Sequence, residues 1–406
     1  MRPSNYRSGG QGLLRVLVAG GGVAGLEATL ALRALAEERV SIELLAPEDD
    51  FTYRPLAVAE PFRVGEVRRF PLQALAQEAG AELRQGTLAS VDAARHVVTT
   101  GEGNELSYDV LVLALGARPR EAVINALTFR GPEDGAAFAA LLEEAVRGDV
   151  RRVTFALPAG VAWPLPLYEL ALLTGTYLTD RGTMGVALEV VSPEEAPLSL
   201  FGTAASDAVR ELLAIRRIEL RLRTTPVSFE RGVLRVVPDG QLDVDRVVAL
   251  PQLEGPPLAG IPQDGEGFVP TDEHGRVAHL DDVYAAGDLT QFPVKQGGIA
   301  AQQADAAAET IAAEAGAPVE PEPFRPVLRG LLLTGVFPRY LRAEVGKASS
   351  AVDAEALWWP PAKIVGRYLA PFLAARMGLS EAPPAGEGVQ VDVELDYRPA
   401  GAQSGI

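Results

Sequence analysis

The 406 residues carry 37 Lys and Arg against 54 Asp and Glu, a formal net charge of −17, and contain no cysteine. The length suits two or three domains, and the 48% hydrophobic and 22% charged fractions are those of a folded soluble chain, not a disordered or fibrous one. This charge balance disfavours nucleic acid as a partner. The missing thiol excludes disulfides, thiolate metal sites, CxxC redox pairs and cysteine nucleophiles, and His96, His274 and His279 show no ligand spacing, so no metal is expected.

The first twelve residues, MRPSNYRSGGQG, lack an apolar core segment. They read as a mobile tail and not an export signal, which makes a cytoplasmic location the default expectation. LLRVLVA (13–19) predicts a buried strand, Gly20-x-Gly22-x-x-Gly25 a tight turn, and the Ala/Leu run 26–35 a helix. VSIELL (40–45) supplies the next strand, and a connection of that length demands a parallel sheet. In this context the first glycine permits the turn, the second lets backbone approach a pyrophosphate, and the third lets helix and strand pack. The helix N-terminus then favours the anion without a lysine. An acidic residue for ribose hydroxyls should end the second strand; Ala46 stands there, and Glu48 is the nearest substitute.

YDVLVLALGARPR (108–120) predicts a strand ending in a Gly and Pro turn, and VDRVVALPQLEGP (244–256) echoes it weakly. The pair suggests an internal duplication whose second copy has lost most of its glycines. Between them, residues 153–178 carry one charge, Glu169, over a length that would span a membrane. Pro158, Pro164 and Pro166 favour a buried strand, loop and helix start instead. Further on, 267–277 predicts a polar hairpin, LDDVYAAGD (280–288) a strand ending in Gly287-Asp288, and 298–315 an alanine-rich helix. A proline-rich connector (317–326) leads to a locally basic stretch with eight Lys and Arg against three Asp and Glu between Arg325 and Arg376. The end, from Pro383, is Gly/Pro-rich apart from VQVDVELDY, a candidate edge strand.

VLVAGGGVAGLEATLALRAL, YDVLVLALGARPR and VYAAGDLTQFPVKQGGIAAQQADAAAETIA occur in that order, and together they resemble the pyridine nucleotide-disulfide oxidoreductase superfamily of two-dinucleotide-domain flavoproteins. The resemblance covers roughly residues 13–320 and leans toward the sulfide:quinone reductases, flavocytochrome sulfide dehydrogenases and type II NADH dehydrogenases. It implies an α/β fold of two Rossmann-like domains with parallel central sheets and a carboxyl-terminal interface segment. The expected divisions are a tail (1–12), a discontinuous FAD-binding domain (13–125 and 263–318), a degenerate NAD(P)-binding-like domain (126–262) and an interface or membrane-proximal segment (319–406). FAD is the implied cofactor. Its expected contacts are Gly20, Gly22, Val23, Ala24, Gly25, Glu48, Arg54, Pro55, Gly116, Gly287, Asp288, Gly297, Gly298 and Ile299, with Asp288 on a ribitol hydroxyl. The helix opened by GGIAAQQ would point its positive end at the pyrimidine edge of the flavin, with Lys295 beside it or merely solvated in a loop.

Where a second nucleotide turn belongs, residues 155–171 read FALPAGVAWPLPLYELA. Aligned on the helix that follows, Ala162, Pro164 and Leu167 hold the glycine positions, so no ordinary NAD(P)H site is expected. The sulfide:quinone reductases place a redox cysteine in a GxxCxxPxYE-like stretch. Gly160, Pro166, Tyr168 and Glu169 fit that pattern, but Trp163 stands where the cysteine would, which removes persulfide and dithiol chemistry. Trp163 is expected either to stack by the flavin or to fill the core. Glu169 is expected either to relay protons to flavin N5 or a bound acceptor, or to serve as a hydrogen-bonded structural carboxylate. The aromatic and cationic stretch 357–377 reads as a peripheral membrane contact framing a quinone site, or as a segment folded onto the flavin domain or a dimer partner. The expected activity is two-electron transfer between a small-molecule donor and an acceptor, for which a quinone is one candidate. An NAD(P)H-dependent reductase with a remodelled second site, or a non-catalytic flavin-binding protein, are the alternatives.

Overall fold

The computed structural model describes residues 13–238, 240–344 and 350–378; the amino-terminal tail and the VQVDVELDY stretch lie outside these residues. Two five-stranded sheets organise the chain. In the first, Leu14–Ala19 lies between Val40–Ala46 and Val110–Leu113, with Glu82–Gln85 and Val283–Ala285 at the edges, all parallel. The central strand is apolar at successive positions because both faces are covered: Val16 and Val18 belong to one core, Leu17 and Ala19 to another. The first helix (Val23–Ala36) and the helix Gly297–Glu314 pack together over one face, each contributing alanines to that core.

The second sheet repeats this spatial order, with one edge strand supplied from ahead of its unit in the chain instead of after it. Arg152–Ala156 lies between Ala187–Val191 and Arg246–Ala249, with Ile218–Arg221 and Leu127–Thr128 at the edges. Each half also inserts a three-stranded antiparallel meander just before the strand that flanks its central strand on one side (Val110–Leu113 and Arg246–Ala249): Leu88–Asp92, Val97–Thr100 and Glu105–Ser107 in one, Thr225–Glu230, Val233–Val237 and Gly240–Asp243 in the other. The two passages of chain between the halves run antiparallel as Arg118–Arg120 and Gln252–Glu254. The duplication is therefore visible in topology where the glycines no longer show it.

A third unit closes over both halves. The strands Val327–Leu332, Arg339–Glu344 and Ser350–Asp353 form a meander that lies flush on the second half; a Cβ on Gly330 would come within 2.7 Å of Phe201 and 2.9 Å of Leu165. The stretch 357–377 folds back onto the body. Trp358 meets Tyr340 edge to face at 5.0 Å and donates its indole N–H to Ala362 O at 3.0 Å, while Leu369–Arg376 packs on the first helix. No helix among the described residues is long and apolar enough to cross a membrane.

Candidate functional site

The strand Leu14–Ala19 runs directly into Gly20, whose φ is +120° and whose N–H donates to Leu45 O at 2.8 Å. A Cβ on Gly20 would overlap the Ala114 carbonyl oxygen, and one on Gly25 would overlap that of Gly20, so the fold itself demands both glycines. Gly22 differs, because nothing lies within 4 Å of the place its Cβ would take. It is the N-cap of the first helix and carries no side-chain cap. The leading amides, those of Val23 and Ala24 among them, keep their donors for an anion.

Asp288 reaches this turn from far along the chain. Gly287, at φ +81°, is pressed between the two helices: its Cβ would lie 3.0 Å from that of Ala24 and 3.4 Å from that of Ala300, and its N–H donates to Gln303 Oε1 at 2.8 Å. Burial pushes the Asp288 carboxyl up to about 6, with the Lys295 ammonium opposing. Among the described residues no donor reaches that carboxylate. An uncapped helix end, an open second glycine and a half-buried carboxylate without a donor fit the diphosphate and polyol of a dinucleotide.

The other end of the site is less open than expected. Gln296 caps the helix Gly297–Glu314, its Oε1 accepting the Gly298 N–H at 2.7 Å and its carbonyl accepting those of Ile299 and Ala300. The amides of Gly298 and Ile299 are thus already engaged, while Gln296 Nε2 is buried without an acceptor. Ile364 covers Gly297, 3.1 Å from the place its Cβ would take. Lys295 is no solvated loop residue: its side chain is buried, donates to Thr290 O, and sits 3.8 Å over the Phe268 ring. Burial brings its pKa down to about 8, and the Asp288 charge opposes this. Glu48 is exposed and Pro55 half-buried, Arg54 pairs with Glu133 at 2.9 Å on the surface, and Gly116 adopts φ +69° with open space beside it.

The second turn is built otherwise. Arg152–Ala156 ends eight residues before the helix Leu165–Asp180, where the first half needs only Gly20–Gly22 between its strand and helix. Pro164 is the N-cap and Pro166 follows inside the first turn, so two donors are missing, and the Leu167 N–H is taken by Pro164 O at 3.0 Å. The acidic position beyond the neighbouring strand is also occupied: Glu194 accepts hydrogen bonds from Tyr168 Oη (2.5 Å) and Ser192 Oγ (2.9 Å). Trp163 is half-buried and meets Phe201 edge to face at 5.6 Å.

Glu169 is wholly buried and held from the carboxyl-terminal unit. Lys363 Nζ donates to its two oxygens at 2.6 and 2.7 Å, and the Leu333 N–H donates to Oε1 at 2.8 Å. Burial drives the carboxylate up and the ammonium down, and their mutual attraction opposes both shifts. The same strap donates the Ile364 N–H to Tyr53 Oη at 3.1 Å, and Glu27, buried in the first helix, accepts the N–H groups of Tyr368 and Leu369 at 2.7 and 2.8 Å. Lys363, Tyr53, Gln296, Glu194 and Glu27 were not identified as site residues from sequence, because their partners lie far along the chain or depend on how one side chain folds back.

Comparison with known proteins points to the same fold. The family model of the pyridine nucleotide-disulphide oxidoreductases matches residues 14–147. Apoptosis-inducing factor 3 of Homo sapiens is 26% identical over 52% of this chain, and the sulfide-quinone reductase of Aquifex aeolicus 29% identical over 50%. The matches span 34% and 49% of those relatives' own lengths. The solved structure of the sulfide:quinone oxidoreductase from Aquifex aeolicus superposes with a TM-score of 0.74 at 20% identity, covering 84% of this chain and 86% of that one. By motif, by the family match over residues 14–147 and by fold, the chain is similar to the FAD-binding flavoproteins of the pyridine nucleotide-disulphide oxidoreductases.

Proposed function

We propose that this protein is an FAD-dependent oxidoreductase that exchanges electrons with small molecules directly, through neither a protein thiol nor an NAD(P)H bound on its second half. Per turnover a donor gives up two electrons and two protons and an acceptor takes them, leaving the cofactor as it began. Bound FAD supplies the hydride- and electron-accepting ring system. The chain's share is to hold the diphosphate on the amides after Gly22, to accept a ribitol hydroxyl at Asp288, and to keep the positive charge of Lys295 near the ring end of the site. Chain divisions at about residues 13–125 with 263–318, 126–262 and 319 onward fit the two sheets and the covering unit.

The observation that carries this reading is the contrast between two turns on one topology. Gly22 leaves space where a backbone must be approached, whereas Pro164, Pro166 and the engaged Leu167 amide remove the donors of the equivalent helix end. The absence of cysteine excludes the sulfur route. A quinone is the acceptor class to try first, on the likeness to sulfide:quinone oxidoreductase. Anaerobic titration of the yellow protein with NADH, NADPH and sulfide, followed by a quinone, tests the proposal. It expects no rapid bleaching by the first three; fast bleaching by NADH would overturn it, and a colourless protein that refuses FAD would remove its basis.

A further inference from the structure

The expanded second turn closes the dinucleotide path yet leaves a cavity of about 360 Å³ at the carboxyl ends of its strands, near the lower limit for small-molecule sites. Its walls come from three places: the turn itself (Pro158, Ala162, Pro164), the loop after the next strand (Pro193, Glu194), and Pro293-Val294 of the flavin-binding half. Four of these are prolines, which offer no N–H. The lining holds no Lys or Arg, and Glu194 is its one charged side chain. Val294 lies two residues before Gln296, so its Cα is within about 7 Å of the cap of the helix expected at the flavin ring.

We infer that this cavity binds an uncharged small molecule with an apolar ring-sized body, and rejects carboxylates and phosphates. Resting on the closed-site reading above, this names the class of small molecule that exchanges electrons with the protein. Three physical features carry it. The walls supply apolar surface that a hydrocarbon body covers. With four prolines reducing the amides in its wall and no Lys or Arg in the lining, the cavity offers no opposite charge to compensate a desolvated anion. Glu194, which accepts hydrogen bonds from the neutral Tyr168 and Ser192 hydroxyls, adds like-charge repulsion against an anion in its ionised form while tolerating a hydroxyl, since a carboxylate accepts at several lone pairs.

Isothermal titration of the flavin-loaded protein near neutral pH with 2-naphthol and with 2-naphthoate, which share one ring system and differ in the charge of the group it carries, tests this. The naphthol is expected to bind about tenfold or more tightly than the naphthoate. Ala162→Phe, whose ring enters the cavity, should weaken naphthol binding about tenfold, and Ala162→Leu by less, with FAD content and melting temperature unchanged. Glu194→Gln should narrow the gap between the two ligands. Equal binding of both ligands, or indifference to both Ala162 variants, would overturn the inference. No naphthol binding while NADH is also inert sinks this inference alone; NADH displacing naphthol sinks the closed-site reading with it.

Discussion

The buried pair between Glu169 and Lys363 ties the second half to the carboxyl-terminal strap, and removing its cation gives a measurable consequence. Both side chains are out of solvent, at 0% and 7% exposure, and the ammonium supplies two of the three hydrogen bonds the carboxylate receives. Lys363→Met leaves a desolvated carboxylate with only the Leu333 N–H, a loss of about 3–5 kcal/mol when Glu169 is ionised. The loss has a definite pH dependence. In the variant, burial acts on Glu169 against the Leu333 N–H only and holds its folded pKa above the unfolded value. A group raised in this way is fully accommodated below its unfolded pKa and loses that accommodation as pH rises through the folded one. The deficit against the parent protein is therefore smallest in acid and greatest in alkali. Urea unfolding followed by circular dichroism at acid, neutral and alkaline pH measures it. Glu169→Leu combined with Lys363→Met should recover most of the loss, because a matched apolar pair has no charge to strand. A deficit under about 1 kcal/mol, no pH trend, or a double variant no more stable than the single would refute the reasoning.

Gly22→Val should leave the apoprotein's melting temperature nearly unchanged, since its Cβ meets nothing, yet abolish FAD retention measured by absorbance; Gly25→Ala should destabilise even the apoprotein through overlap with Gly20 O. Asp288→Asn should weaken FAD binding in apoprotein reconstitution by about tenfold, the worth of one charge-assisted hydrogen bond. In the parent protein that affinity should fall as pH drops through about 6, and in the variant it should not. Asp305, pushed up to about 8 by burial and by Glu27 beside it, contributes stability that is full below its unfolded pKa and lost as pH rises through about 8. The protection factors of the Tyr368 and Leu369 amides, which Glu27 anchors, should fall above that pH once intrinsic base catalysis is divided out, and should lose this fall in Asp305→Asn.

Much of the first half was legible because its constraints are local. A strand that must reverse into a helix within three residues needs glycine at Gly20 and Gly25 for steric reasons, and the pattern exposes that need directly. The alanine-rich helix starts at Gly297, one residue before the expected start, and the strand Val283–Ala285 falls inside LDDVYAAGD. The second turn was legible only at its helix end. Its glycine positions align with Ala162, Pro164 and Leu167, but the strand stops at Ala156, so the loop is longer than the first fingerprint. Lys363 stood out only as one cation in a basic stretch; its pairing with Glu169, 194 positions away, is decided by packing that no local spacing records. The cap formed by Gln296 escaped notice for a different reason, since it depends on one side chain folding back over its own helix.

The shared spatial order of the two sheets shows that the second turn did not change to make the fold possible. The first half achieves the same crossing with three residues. The second uses eight, so its close approaches, and with them the steric need for glycine, are gone. Glycine alone should therefore not restore a dinucleotide site. The carboxyl-terminal meander is seated on that helix end, with Gly330 against Leu165 and Phe201, and Glu194 is held by Tyr168 and Ser192. Pro164→Gly together with Pro166→Ser returns two amide donors but neither shortens the loop nor frees the acid. Stopped-flow mixing with NADH should show flavin reduction as slow as in the parent protein. A large gain in that rate would mean the prolines were the only barrier, and that the covering sheet and the longer loop have no part in excluding the nucleotide.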